Sequence, residues 1–79
     1  MNKDIIDRIT SFIRSAFNDE TLEFKPELSA DGIPGWTSLS FMKLLESLEQ
    51  EFGFRFKVME LISVRTLGDL AAVVEKHIG

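Results

Sequence analysis

The chain has 79 residues and no cysteine, with 13 acidic against 9 basic side chains for a formal net charge of −4. That length bounds it to one domain, residues 1–79, near the lower limit of what folds unaided, with neither disulfides nor thiolate metal sites to staple it. No lysine or arginine stripe provides the footprint of a nucleic-acid binder, no apolar run is long enough for a membrane span, and Met1-Asn2-Lys3-Asp4 leads into an amphipathic segment instead of a signal peptide. A soluble, cytoplasmic monomer is expected.

The spacing predicts a first helix from about Asp4 to Phe17. Ile5, Ile6, Ile9, Phe12, Ile13 and Phe17 fall on one buried stripe, while Asp7, Arg8, Ser11 and Arg14 fall largely outside it. Asn18-Asp19 supplies a stop. From Glu20 to Thr37 the periodicity fails, and Pro26, Gly32, Pro34 and Gly35 punctuate the stretch. Its apolar residues, Leu22, Phe24, Leu28, Ile33 and Trp36, are expected to pin this long loop across the helices.

A second helix is predicted from Ser38 to Phe52. At about 100° per residue, Phe41, Leu44, Leu45, Leu48 and Phe52 gather into a core-facing arc. Leu39 projects away from that arc and Met42 lies at its edge. With Lys43 and Glu46 beside them, they form a small outward docking patch. Gly53 ends the helix. Phe54-Arg55-Phe56 then reads as an extended connector inserting two aromatics into the core, followed by one short helical turn from Val58 to Ile62 with Leu61 or Ile62 inward. Thr66 and Asp69 resemble a capping box opening the last helix, along which Leu67, Leu70, Ala71, Val74 and Ile78 share a face. Gly68 costs that helix a little propensity. The sum is an all-α fold: a four-helix bundle of three main helices and one short one, with a long first loop.

Ser38, at the junction of loop and second helix, has two possible roles. It can cap the helix through its side-chain oxygen, or it can serve as an attachment point where free N–H groups and partial positive charge favour a phosphate. Position alone favours the cap. Catalysis finds little support. The only histidine, His77, reads as an exposed residue near a helix C-terminus, and Glu46, Glu49 and Glu51 as a solvated acidic face. No metal-ligand spacing and no lysine-bearing phosphate loop is present, so a non-enzyme is expected.

Taken together, these features resemble the acyl carrier protein family. The resemblance covers nearly the whole chain: the amphipathic first helix, the apolar loop ending in Asp31-Gly32, Ser38-Leu39, then Leu45, Leu48, Glu49, Phe52-Gly53 and Phe54-Arg55-Phe56. It closes with Ser63 to Leu70, similar to the family's threonine-led opening of the last helix. The family's attachment motif is Asp-Ser-Leu, and its serine falls on Ser38. The resemblance implies that Ser38 receives 4′-phosphopantetheine from coenzyme A through a magnesium-dependent phosphopantetheinyl transferase. It implies further that acyl-loading and acyl-transfer enzymes are the partners, met through Leu39, Met42, Lys43 and Glu46. An acyl chain would shelter among Met42, Leu45, Phe56, Leu61, Val64 and Leu70, each of which serves equally as plain core.

Two departures stand out. Thr37 replaces the family's aspartate; it can still cap the helix but offers no charge to a transferase arginine or magnesium. This leaves a second reading, a carrier-like interaction module that is never modified. Ser40, Lys43 and Gln50 also occupy positions often acidic in fatty-acid carriers. With Gly35-Trp36 and Ser40-Phe41, they resemble specialised freestanding carriers of secondary-metabolite or polyketide-like pathways.

Overall fold

A computed structural model describes residues 2–78. Its helices are α1 (Lys3–Ala16), α2 (Ser38–Phe52), α3 (Val58–Ser63) and α4 (Leu67–Ile78), with a short 3₁₀ turn at Ala30–Gly32 inside the first loop. Among the described residues the single bridge between extended segments, Ser29 with Thr66, does not extend into a strand. The fold is the all-α four-helix bundle expected, with the long first loop in place.

Local chemistry sets each boundary. Asn2 caps α1 by accepting from the N–H groups of Asp4 at 2.9 Å and Ile5 at 3.4 Å, so the helix starts one residue before the expected Asp4. Phe17 is its C-cap, and Asn18 follows at φ 54°, a left-handed turn that asparagine tolerates. Gly53 ends α2 at φ 72°, where a side chain would be strained. At the start of α4, Thr66 Oγ1 accepts from Asp69 N–H at 3.1 Å and Asp69 Oδ2 accepts from Thr66 N–H at 3.2 Å. Aspartate thus completes the reciprocal cap that glutamate more often makes.

One core joins the three long helices: Ile9, Ile13 and Phe17 of the first segment, Leu44, Leu45 and Leu48 of α2, and Leu67, Leu70, Ala71 and Val74 of α4. Leu22 and Ile33 of the loop are buried with them, and Phe24, Leu28 and Trp36 pack against their edge. The expected stripes are narrower in fact, since Ile5, Ile6, Phe12, Phe41 and Phe52 are half-buried and Ile78 lies at the surface.

The loop is tied by its backbone as well as by its side chains. Leu67 N–H donates to Leu28 O at 2.9 Å and Gly68 N–H to Pro26 O at 3.0 Å. A Cβ on Gly68 would stand 2.9 Å from Pro26 Cβ and 3.0 Å from Pro26 O, so this glycine permits the close approach for which its helix propensity is given up. At the other end a Cβ on Gly35 would stand 2.2 Å from Phe17 O. Only glycine lets the loop reach the end of α1. Arg14 Nε adds a bond of 2.7 Å to Leu22 O.

Of the solvated acidic face expected on α2, Glu46 and Glu51 are exposed, whereas Glu49 is half-buried and structural. Glu51 pairs with Arg8 of α1, whose guanidinium also lies 4.4 Å from the centroid of the Phe52 ring. Glu49 Oε2 accepts from Phe56 N–H at 2.7 Å and so holds the connector after α2. No described helix is long and apolar enough to cross a membrane.

Candidate functional site

The start of α2 is positioned by an aromatic stack. Trp36 lies between Phe17 and Phe41, at centroid distances of 5.4 and 5.5 Å and interplanar angles of 22° and 25°. Such contacts contribute about 1 kcal/mol each beyond area burial. They fix the residue preceding Thr37-Ser38 against α1 and α2 together.

The cap is made by the neighbours of Ser38. Thr37 Oγ1 accepts from Ser40 N–H at 3.1 Å, and Ser40 Oγ accepts from Thr37 N–H at 2.8 Å, a reciprocal capping box. Ser40 Oγ also reaches Gly35 O at 2.7 Å, tying the box back to the loop. Ser38 is the first helical residue, and the capping role that its position favoured belongs to Thr37. The physical reason is geometric: the capping residue keeps extended backbone, as Thr37 does at φ −115° and ψ 172°, and Ser38 is already inside the helix.

This arrangement leaves Ser38 exposed, with no hydrogen-bond partner for its hydroxyl among the described residues. The backbone N–H groups of Ser38 and Leu39 are likewise without protein partners there, since the first ladder bond runs from Phe41 N–H to Thr37 O at 2.9 Å. An uncommitted hydroxyl beside two open N–H groups at a helix N-terminus fits a phosphodiester: anionic oxygens meet donors and the positive helix end.

Two helices present large apolar side chains to solvent. Leu39 is 65% exposed, as the helical wheel requires, Met42, placed at the edge of the core arc, is 61% exposed, and α3 adds Val58 at 71%, Met59 at 76% and Ile62 at 66%. Lys43 and Glu46 are exposed on the same helix as Leu39 and Met42. Ile62 therefore points outward, and Leu61 is the inward residue of α3.

A pocket of about 200 Å³ opens between α2, the connector and α3, lined by Met42, Leu45, Glu46, Glu49, Phe56 and Leu61. It brings together Met42, Leu45, Phe56 and Leu61 of the expected lining. Leu70 is instead fully buried in the core, and Val64 lines a separate depression with Ser29, Trp36 and Phe41.

His77 is not the exposed residue expected. Its Nε2 lies 2.8 and 2.9 Å from Glu60 Oε1 and Oε2, and its ring stacks on Phe54 at 4.5 Å and 15°. The hydrogen bond from His77 holds the Glu60 carboxyl below the usual carboxylate range, with that from Lys57 N–H contributing next. Seventeen residues separate the pair in the chain, so local pattern offers no signal for it. Among the described residues no cluster of His, Asp or Glu side chains gathers that could hold a metal.

Comparison with known proteins matches this geometry. The family model described as a phosphopantetheine attachment site covers residues 35–74, from the Gly35 turn through most of α4. A solution NMR structure of the holo acyl carrier protein from Geobacter metallireducens is similar at a TM-score of 0.85 and 38% sequence identity, covering 91% of this chain and 83% of that one. Over so much of both chains that likeness extends to ancestry as well as shape: the chain belongs to the acyl carrier protein family, a phosphopantetheine-binding carrier domain that is not itself an enzyme.

Proposed function

We propose that Ser38 is the attachment point for 4′-phosphopantetheine and that the protein carries acyl, aminoacyl or ketide groups between enzymes of fatty-acid-like or secondary-metabolite synthesis. The observation that carries this reading is the free Ser38 hydroxyl, exposed because Thr37 and Ser40 do the capping. Ser38 Oγ acts as nucleophile toward coenzyme A: its bond to phosphorus forms as the pyrophosphate P–O bond breaks, the bisphosphorylated adenosine leaves, and the hydroxyl proton passes to a base of the transferase. The open N–H groups of Ser38 and Leu39 face the resulting phosphodiester charge. Once attached, the group supplies the thiol on which cargo is held as a thioester.

Leu39 and Met42 offer the transferase and the acyl-loading and acyl-transfer enzymes an apolar contact flanked by Lys43 and Glu46. The exposed charges flanking Met42 on α2 are Lys43 and Glu46, one of each sign, so this stretch of the helix carries no acid excess. A partner selected mainly by a basic patch would find little to grip. That balance supports a specialised carrier over a general fatty-acid one. The pocket of about 200 Å³ suits a short cargo.

The test is intact mass after co-expression with a broad-specificity phosphopantetheinyl transferase. The mass of one phosphopantetheine should appear in the native chain and vanish in Ser38→Ala; an unchanged mass across several transferases would overturn the reading. Thr37 favours the second reading, an unmodified interaction module. Thr37→Asp separates the two, because modification confined to that variant would mean the native chain is not a carrier.

A further inference from the structure

We propose that the Glu60–His77 pair latches α3 to the last turn of α4 and so holds Phe56 and Leu61, the outer wall of the apolar pocket, in place. The coupling to cargo rests on the carrier function proposed above; the latch does not.

α3 is six residues long and contains no buried residue. A helix that short does not hold itself together. Val58, Met59 and Ile62 face water, leaving Leu61 as its one inward apolar anchor. The remaining tie is Glu60. Its Oε1 accepts from Lys57 N–H at 2.8 Å, which closes the first turn of α3, and the same carboxylate meets His77 Nε2 of α4. Because an ionised carboxylate only accepts, the ring nitrogen donates.

Two routes lead from His77 into the pocket wall. One passes through Glu60 to its chain neighbour Leu61. The other passes through the stacked Phe54 ring to Phe56, which meets Phe54 edge-on at 4.8 Å. Both Phe56 and Leu61 line the pocket, opposite Met42 and Leu45 of α2. Lys57 and Val64 bound α3 with extended backbone, so no helical hydrogen-bond ladder joins it to α2 or α4. His77 is thus a positioning residue, acting on the pocket without touching it.

Hydrogen exchange on the unmodified protein tests the latch. His77→Leu should speed exchange of the α3 amides about tenfold while leaving those of Ile9, Leu44 and Leu48 unchanged. His77→Gln, which keeps a donor near the Nε2 position, should restore the native rate. Unchanged α3 exchange in His77→Leu overturns the latch, and so does a rise shared equally by the core amides. The coupling is tested by loading each chain from octanoyl-coenzyme A with a broad-specificity transferase and timing thioester cleavage by hydroxylamine. Cleavage should be several-fold faster in His77→Leu than in the native chain. An equal rate in a variant whose α3 has loosened overturns the sheltering role. Failure to load even the native chain overturns attachment at Ser38, and the exchange measurement still decides the latch.

Discussion

Between α1 and α2 the chain runs through a long irregular stretch, yet its middle and its far end are pressed into the body of the protein. Gly35 sits against the Phe17 carbonyl, and Pro26 and Leu28 accept from the first turn of α4. Between α2 and α4 the chain is shorter and carries a helix, yet that helix has no buried residue and leans on one carboxylate and one half-buried leucine. Regular secondary structure and brevity do not make a segment firm. Backbone brought within van der Waals contact of other backbone does, because such approaches admit no gradual loosening. The division suits a carrier: the firm connection presents Ser38 at a fixed place, and the lightly held one forms the pocket wall.

The largest way to break this contrast is at Gly35. A methyl group there must displace Phe17 O, 2.2 Å away, with no flexible side chain to yield. Gly35→Ala should cost about 3 kcal/mol of stability in urea unfolding. A change below a few tenths would show that the first loop is not clamped as described.

A smaller effect is expected at the cap. Thr37→Ala removes the acceptor for Ser40 N–H and should cost about 1 kcal/mol, read from the denaturant midpoint. Thr37→Asp keeps an acceptor and adds negative charge at the positive helix end, so its midpoint should equal or exceed the native one. An equally large loss in both variants would argue against Thr37 as the cap.

The smallest effect probes the lightly held side. Glu60 has its folded pKa lowered from 4.5, so its carboxylate favours the folded state above that value, and the contribution disappears as pH falls through the lowered folded pKa. The groups facing it are His77 and Lys76 of α4 and the N–H of Lys57. Native protein should therefore be more stable than Glu60→Gln at about pH 6, and the gap should close as pH falls through the lowered folded value. A gap that stays constant across this range would remove the ionised carboxylate from the account.

Much of the fold could be read from helical spacing. Ile9, Ile13, Leu44, Leu48, Leu70 and Val74 are all buried where their period places them, and Leu39 points outward for the same reason. Local signals were equally legible at Gly53 and at Thr66 with Asp69, since cap chemistry acts over three or four residues. The Asn2 cap, by contrast, went unread in the expected start at Asp4, although a short polar side chain before an apolar period is such a signal. At the site the pattern was ambiguous. Thr37, Ser38 and Ser40 can each cap a helix, and only the backbone angles assign the task to Thr37 with Ser40 and release Ser38.

By itself the sequence determined which faces are apolar, where the helices stop, and that a serine followed by an outward leucine opens α2. These are properties of neighbours along one helix, and they travel with the chain. Only the tertiary structure decided that Gly35 and Gly68 are points of contact, that Glu49 holds Phe56, and that His77 reaches Glu60. Each of those depends on two segments meeting in space, which no spacing along either segment records.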